Sequence, residues 1–190
     1  MSVFYHAYFL KTQASEAKLK EKFWRVDVMP ESEWVVCNFG DGYPTGLFEP
    51  GAYFTKEISS QFGETIFLCV DTRNDQFEYE HSQAGAILRK LCWLSDGCQS
   101  TWAWVEGERE AWEDTTLFSE ANFARARELI KYDEQLELVA EDLLRQKEQE
   151  LRGIWKNRQY VLGDKWPLGD ATIGMAIQKF FGLKVPIALK

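Results

Sequence analysis

The chain has 190 residues, of which 45% are apolar and 15% are aromatic, and its formal net charge is −8. This apolar content can fill a sizeable core in one domain, or in one domain with an appendage, and it excludes an intrinsically disordered chain. The acidic balance argues against nucleic acid or an anionic membrane as the main partner, because both reward clusters of lysine and arginine.

The N-terminal part of the chain predicts two strands and two helices around a glycine-rich loop. Residues 2–10 are rich in Val, Phe and Tyr and predict a strand, and residues 14–24 have the apolar spacing of a helix. Residues 33–39 predict a second strand. The loop at 40–51 follows, and residues 52–62 predict a helix that ends at the next glycine.

The central segment predicts an antiparallel meander of four strands. Residues 64–71 are apolar on both faces, which is typical of a strand that is covered on both sides. Residues 76–81 alternate between apolar and polar, which is typical of a strand with two different faces. Two more strands are predicted at 86–94 and 101–105. We interpret this meander as the folding core.

The alternation in the second of these strands assigns side chains to faces. Phe77, Tyr79 and His81 share one face, and Glu78 and Glu80 share the other.

A three-residue loop at 83–85 is predicted to close the hairpin, with its glycine at the bulge position. That loop would set Glu78 opposite Lys90 and Phe77 opposite Leu91, with the charge pair exposed to solvent.

The last third of the chain predicts helices. Ser119 can cap a helix whose apolar residues continue at helical spacing, either as one long helix or as two helices with a kink, and Gly153 is predicted to end it. Asp170 is predicted to cap a further helix that ends at Gly182.

Together these elements predict an α+β fold with a mixed, mostly antiparallel sheet, packed helices and a helical C-terminal third. The sheet-containing core would occupy residues 1–118, and the helical region at 119–190 would pack on it in one compact unit. No internal repeat and no low-complexity tract is present.

The sequence also bears on cellular location and on metals. No secretory signal is predicted, and no stretch approaches the roughly 20 apolar residues of a membrane-spanning helix. The four cysteines include no C-x-x-C pair, so we interpret them as reduced, mostly buried thiols of a cytoplasmic protein. With two histidines and no paired ligand spacing, no metal site and no cofactor are predicted.

The best candidate for a ligand site is the loop at 40–51, which begins with Gly40, Asp41, Gly42 and Tyr43. It joins a predicted strand to a predicted helix, where backbone N–H groups can hold an anion. It lacks both glycine-rich phosphate-binding patterns, G-x-x-x-x-G-K-[ST] and G-x-G-x-x-G with its acidic residue. The alternative is a plain structural loop.

Two polar side chains of the predicted hairpin are further ligand-binding candidates. His81 is close in sequence to carboxylates and is a candidate general base, but the strand alternation places Glu78 and Glu80 on the opposite face. The alternative is a half-buried histidine at the end of a hairpin. Arg89 can bind an anionic ligand, or it can stack on an aromatic ring or pair with a carboxylate.

No catalytic residue is predicted. The sequence has neither G-x-S-x-G nor H-E-x-x-H, and Cys37 and Cys69 are predicted to be inert buried thiols.

The acidic residues between 106 and 114 are expected to face water, or to meet a basic partner. Four tryptophans lie close together in the sequence, and any exposed cluster of them would mark a contact surface. They are Trp93, Trp102, Trp104 and Trp112.

Two segments resemble known families. Residues 67–118 look like part of an uncharacterised group of small bacterial proteins, a resemblance that implies no activity. The outline of that resemblance consists of Asp71, Phe77, His81, Gly85, Leu88, Arg89, Glu106, Gly107, Glu108, Trp112 and Glu113. Residues 160–173 are similar to a segment of the glutathione transferase helical domain, which implies that Asp170 caps a core helix. The order of the first predicted elements fits a thioredoxin-like domain, but residues 59–65 lack the expected proline.

We therefore expect a non-catalytic, cytosolic bacterial binding or interaction protein, of an accessory or immunity type. Its partner would be another protein or a second copy of the chain. The alternative is an enzyme that binds a small molecule between the loop at 40–51 and the sheet, and that uses His81 or Arg89 on a small anion.

Overall fold

The computed structural model describes residues 3–41, 53–95, 99–131 and 141–186. Within these ranges the chain forms a seven-stranded sheet and six helices. The strands are β1 (Phe4–Lys11), β2 (Val26–Val28), β3 (Val35–Gly40), β4 (Glu64–Asp71), β5 (Gln76–Gln83), β6 (Ala86–Ser95) and β7 (Ser100–Gly107). The helices are α1 (Glu16–Lys20), α2 (Thr55–Phe62), α3 (Ala111–Thr115), α4 (Glu120–Lys131), α5 (Glu141–Asn157) and α6 (Ile173–Phe181).

The strand order in the sheet is β2-β3-β1-β4-β5-β6-β7, and every pair of neighbouring strands is antiparallel. Strands β4 to β7 form the predicted meander, and β1 lies between β3 and β4. The predicted α+β fold with a mostly antiparallel sheet is therefore confirmed.

The two faces of the sheet are covered by different parts of the chain. On the face that we call the back face, the apolar core joins the sheet to helices α3 to α6, with members such as Trp112, Phe123, Trp155 and Ile177. On the opposite face, which we call the front face, side chains of α1 and α2 pack on the strands, and Tyr53 packs beside them. The back-face core includes residues on both sides of the predicted boundary after residue 118.

Strand β4 is buried on both faces, as its unbroken apolar run predicts. Ile66 and Leu68 belong to the back-face core, and Phe67 and Cys69 belong to the front-face core. The strand therefore links the two layers of the protein.

The hairpin between β5 and β6 has a two-residue turn instead of the predicted three-residue loop. Ala84 and Gly85 have φ values of 50° and 78°, and Gln83 pairs with Ala86. Positive φ at both central residues is the requirement of a type I′ turn, whose twist matches that of the strands.

The predicted register of this hairpin was wrong by two residues. The shorter turn accounts for one of them, and a bulge next to His81 accounts for the other. As a result Glu80, not Glu78, lies opposite Lys90. The assignment of side chains to faces is unaffected, because a shift by two residues preserves the alternation.

The first predicted helix is shorter than expected. Helix α1 begins after Ser15, whose side chain accepts a hydrogen bond from the Lys18 backbone N–H, and it ends at Lys20. The chain then returns to the sheet, where Val26–Val28 pairs with β3 as an edge strand that the sequence analysis missed. Helix α1 thus ends four residues before the predicted end at residue 24, and the segment that follows it pairs with β3.

The C-terminal helices also differ in their bounds. Instead of ending at Gly153, α5 continues to Asn157, because a glycine inside a helix costs only about 1 kcal/mol. The N-cap residue of α6 is Thr172 and not the predicted Asp170, which accepts a hydrogen bond from the Thr172 N–H. The predicted helix end at Gly182 is confirmed.

Candidate functional site

His81 lies on the back face between two carboxylates. Its Nδ1 is 2.5 Å from Glu110 Oε1, and its Nε2 is 3.1 Å from Glu64 Oε1. The imidazole makes a T-shaped contact with the Phe181 ring of α6, and His81 is only 5% exposed. Both ring nitrogens are therefore used inside the protein.

Glu110 is the N-cap residue of α3, and it is the centre of a polar network. Its Oε2 accepts hydrogen bonds from the Tyr79 hydroxyl at 2.6 Å and from Trp112 Nε1 at 2.7 Å. Burial by itself would raise the pKa of Glu110, but the hydrogen bonds from His81, Tyr79 and Trp112 hold that pKa below its ordinary value.

Arg89 is bound to Glu113 in a second network beside the first. Its Nε and Nη2 donate to the two carboxylate oxygens at 2.9 and 2.7 Å, and its Nη1 donates to the carbonyls of Glu106 and Gly107. The Tyr160 hydroxyl donates to Glu113 Oε2 at 2.5 Å, and the guanidinium lies over the Tyr160 ring. All three guanidinium nitrogens donate within the protein.

The two networks meet at the start of α3. Glu113 Oε1 accepts a hydrogen bond from the Glu110 backbone N–H at 2.8 Å, and the two glutamates form a capping box. The predicted exposure of this acidic segment to solvent is wrong for Glu113, which is fully buried. The E-x-x-E spacing of Glu110 and Glu113 is the signal that indicates a helix start here.

These back-face networks have limited chemical capacity. His81 can exchange a proton with either neighbouring carboxylate, and Glu64 is partly exposed to solvent. Among the described residues, however, no hydroxyl, thiol or amine is hydrogen-bonded to His81. Arg89 is already paired with a carboxylate, so it does not offer an open binding site for an anion.

The loop candidates lie apart from His81 and Arg89. Gly40 ends β3 opposite His6, and a Cβ atom at this glycine would lie 2.8 Å from His6 Cε1. His6 alternates with back-face residues of β1, so Gly40 approaches the front face, whereas His81 and Arg89 are on the back face.

Asp41 follows Gly40 and is exposed, while Gly42 and Tyr43 lie outside the described residues, as does most of the loop at 40–51. The structure therefore brings His81 and Arg89 together, as opposite residues of β5 and β6, but places them apart from Gly40 and Asp41. Ligand binding by these residues stays a prediction.

A second polar cluster, which the sequence analysis missed, lies on the front face. Lys90 Nζ is 3.5 Å from Glu80 Oε2, and it lies over the rings of Tyr53 and Trp104 at 5.6 and 5.7 Å. Glu80 also accepts a hydrogen bond from the buried Thr55 hydroxyl. The alternation of β5 predicts two glutamates on this face, but not that α2 and Tyr53 cover them.

Glu78 belongs to the same cluster, but its surroundings differ from those of Glu80. It lies opposite Cys92 and is 8% exposed, so it is not the exposed partner of Lys90 that the sequence analysis expected. No described residue donates a hydrogen bond to its carboxylate. Burial raises its pKa to about 7, although the charge of Lys90 acts in the opposite direction.

Two further polar atoms of this cluster are buried without a partner. The Tyr53 hydroxyl and Trp104 Nε1 have no hydrogen bond among the described residues. Buried polar groups in proteins are nearly always hydrogen-bonded. We refer to Tyr53, Glu78, Glu80, Lys90 and Trp104 as the front-face cluster.

The remaining predicted reactive groups are buried. Cys37, Cys69 and Cys92 are free thiols, and burial raises the pKa of Cys37 and Cys69 to about 12 and that of Cys92 still further. The fourth cysteine lies outside the described residues. Of the four clustered tryptophans, Trp104 is partly exposed and the other three are fully buried.

In the ranges that the structure covers, no group of His, Cys, Asp and Glu side chains is arranged to hold a metal ion. None of the helices in these ranges has the length and apolar character needed to cross a membrane.

Comparison with known proteins adds no family to this description. No protein-family model, no curated protein and no solved structure matches the chain.

Proposed function

We propose that the protein is a non-catalytic binding or interaction protein, of an accessory or immunity type, that acts in the bacterial cytoplasm. The observation that carries this proposal is the complete internal use of His81 and Arg89. A catalytic histidine or an anion-binding arginine needs a free nitrogen that faces a substrate. Here the nitrogens of both side chains contact Glu64 of β4, two carbonyls of β7, and the two glutamates at the start of α3.

The surface supports the same proposal. Several large apolar side chains are more than half exposed, and each offers apolar contact area to a partner. They are Trp24, Val28, Phe54, Leu162, Met175 and Phe180. The net charge of −8 makes a partner with a basic surface electrostatically favourable.

A thermal-shift screen of the purified protein against small anions, nucleotides, sugars and glutathione tests the proposal. We expect no increase in Tm with any of them. We also expect that a photo-crosslinking residue at Phe54 or Phe180 captures one defined protein, while the same residue at the exposed, charged position Glu141 does not. An increase of several degrees with one small molecule would contradict the proposal, because it corresponds to roughly 1–2 kcal/mol of linked binding.

The front-face cluster favours a second candidate function, the binding of a small polar molecule. Glu78, Tyr53 and Trp104 present one carboxyl group and two hydrogen-bond donors that no described residue satisfies. A ligand with both acceptors and donors would complete these hydrogen bonds. This candidate differs from the predicted alternative of an enzyme that uses His81 or Arg89, because those two side chains lie on the back face.

The substitution Tyr53→Phe tests the second candidate cleanly. It removes a hydroxyl that has no described partner and leaves the ring stacked on Phe67 at 4.3 Å. If a ligand uses this hydroxyl, its thermal shift falls in the variant while the Tm without ligand is unchanged. The matched control is Tyr8→Phe, which removes a hydroxyl that donates to the Tyr53 carbonyl and should lower the Tm itself.

A further inference from the structure

The two edge strands of the sheet, β7 and β2, differ in whether another segment of the chain covers them. At the β7 edge, the Trp102 N–H donates to the Asp164 carbonyl at 3.0 Å, and the Gly163 N–H donates to the Trp102 carbonyl at 2.9 Å. The segment around Leu162 thus covers part of that edge. At the β2 edge, no described residue pairs with the outer side of the strand. An uncovered edge strand is a ready template for pairing with another strand.

The hydrogen-bond pattern shows which backbone groups of β2 face outward. The Asn38 N–H donates to the Arg25 carbonyl at 2.9 Å, so the backbone of Arg25 faces β3. Hydrogen-bonded and non-hydrogen-bonded pairs alternate along an antiparallel ladder. Asp27 therefore also faces β3, while the N–H and C=O groups of Val26 and Val28 face outward.

The segment from Trp24 to Val28 is complementary to itself when it is reversed. If two copies pair antiparallel around a two-fold axis at Val26, Arg25 of each copy lies opposite Asp27 of the other. Trp24 of each copy then lies next to Val28 of the other, and these two side chains are 71% and 61% exposed in the single chain. Opposite charges and apolar pairs across strands are both stabilising.

We propose that the chain forms a two-fold symmetric homodimer in which two β2 strands pair antiparallel around Val26 and join the two sheets edge to edge. The two outward groups of each Val26 bond to those of the other copy. Each Arg25, which is already 2.6 Å from Asp27 of its own chain, gains a second carboxylate. This dimer does not depend on the proposed function, because an enzyme could dimerise by the same edge.

Charge and backbone chemistry select this register over its neighbours. A two-fold axis at Asp27 would place the two Asp27 carboxylates opposite each other, which is repulsive. An axis at Val28 would place Val26 opposite Pro30, which has no N–H to donate. The axis at Val26 avoids both problems.

The strand is short, so the interface is small and the dimer should be weak and sensitive to salt. Sedimentation velocity over a wide range of protein concentrations measures the association. We expect reversible dimerisation that weakens as salt is added. A protein that stays monomeric at every concentration would overturn the proposal.

Charge substitutions test the register. In the Arg25→Asp variant, the carboxylate at position 25 of one copy lies opposite Asp27 of the other copy. In the Asp27→Arg variant, Arg25 of one copy lies opposite the guanidinium group at position 27 of the other copy. Each variant alone should dimerise at least about tenfold more weakly than the wild type. An equimolar mixture of the two variants should form a heterodimer, because every opposed pair in it is then complementary.

The double variant that carries both substitutions exchanges the two charges and should dimerise like the wild type. Circular dichroism of each variant separates loss of dimerisation from loss of folding, and the heterodimer in the mixture requires both variants to be folded. If the mixture and the double variant stay monomeric while the wild type dimerises, another surface forms the dimer and the proposal is wrong. The thermal-shift screen against small molecules tests the proposed function, and its outcome does not depend on whether the chain dimerises.

Discussion

The two faces of the sheet bury acidic side chains in opposite ways. On the back face, Glu110 and Glu113 are surrounded by donors from His81, Arg89 and Tyr160, as well as from aromatic side chains. On the front face, Glu78 is more buried than Glu110 and slightly less buried than Glu113, but no described residue donates to its carboxylate. The same residue type is therefore held in two different electrostatic environments within one small domain.

This difference shows that burial alone does not decide the charge of a carboxyl group. The pKa of Glu110 is below its ordinary value although burial opposes this, and the pKa of Glu78 is raised to about 7 by burial. Hydrogen bonds to the charged form account for the difference. On the back face, ionised carboxylates should thus stabilise the folded protein. On the front face, the ionised form of Glu78 should destabilise it.

The largest effect is expected from breaking the back-face ion pair. Glu113→Ala leaves the Arg89 guanidinium buried without its carboxylate and removes the acceptor of Tyr160. We expect the free energy of unfolding to fall by about 3–5 kcal/mol, measured by urea denaturation. The control is Glu141→Ala, which breaks the exposed pair with Arg145 and should cost about 0–1 kcal/mol. Equal losses in the two variants would contradict the described network.

A smaller effect of opposite sign is expected on the front face. Because the folded-state pKa of Glu78 is raised from 4.5 to about 7, the folded protein holds this proton more tightly than the unfolded chain does. The stability linked to this proton is complete below pH 4.5 and is lost as the pH rises to about 7. Glu78→Gln should therefore match the wild type at acidic pH and exceed its stability by on the order of 3 kcal/mol above neutral pH.

The matched control for this pH series is Glu110→Gln. The pKa of Glu110 is lowered on folding, so its contribution is complete above its unfolded-state pKa and is lost as the pH falls through the folded-state value. This variant should be less stable than the wild type at neutral pH, and the difference should shrink in acid. If the stability difference from the wild type changed with pH in the same direction for both variants, the two faces would not differ as described.

The packing of the back face is tested by two glycines in its helices. A Cβ atom at Gly174 would lie 2.3 Å from Val70 Cγ2, whereas a Cβ atom at Gly153 would have no neighbour within 4 Å. Gly174→Ala should destabilise the protein by about 1–3 kcal/mol through overpacking. Gly153→Ala should stabilise it by roughly 0.5–1 kcal/mol by favouring the helix. Differential scanning calorimetry measures both, and Tm changes of the same sign would contradict the described contacts.

The smallest effect concerns the turn that sets the register between β5 and β6. Ala84 has a φ of 50°, a conformation that asparagine tolerates better than alanine. Ala84→Asn should increase the free energy of unfolding by about 0.5–1 kcal/mol. The same substitution at Ala86, within β6, should give no gain. A loss of stability at both positions would indicate a different turn.

The sequence predicts the sheet better than the site because the two depend on contacts of different range. The buried strand β4 and the separation of His81 from Glu78 and Glu80 follow from local alternation, and both agree with the structure. The turn at Ala84 required a left-handed alanine, which propensities disfavour. Strand β2 was missed because three residues are too few to carry a pattern.

The candidate sites depend on contacts between residues that are distant in the chain. Glu113 is 24 residues from Arg89 and 47 residues from Tyr160, and no local pattern joins them. The acidic segment that contains Glu113 was predicted to face water because charged residues usually do so. Only the placement of α3 against the sheet makes Glu113 a buried partner.

The buried cysteines have a consequence for the motions of the sheet. Cys37 lies in β3, next to the edge strand, and Cys69 lies in the central strand β4. Their thiols stay protonated near neutral pH, and alkylating reagents need a solvent-exposed thiolate. Both side chains belong to the front-face core, so alkylation of either cysteine requires the layer that covers this face to open first. The two cysteines report, from inside the native protein, how much more often this layer opens near the edge of the sheet than over its centre.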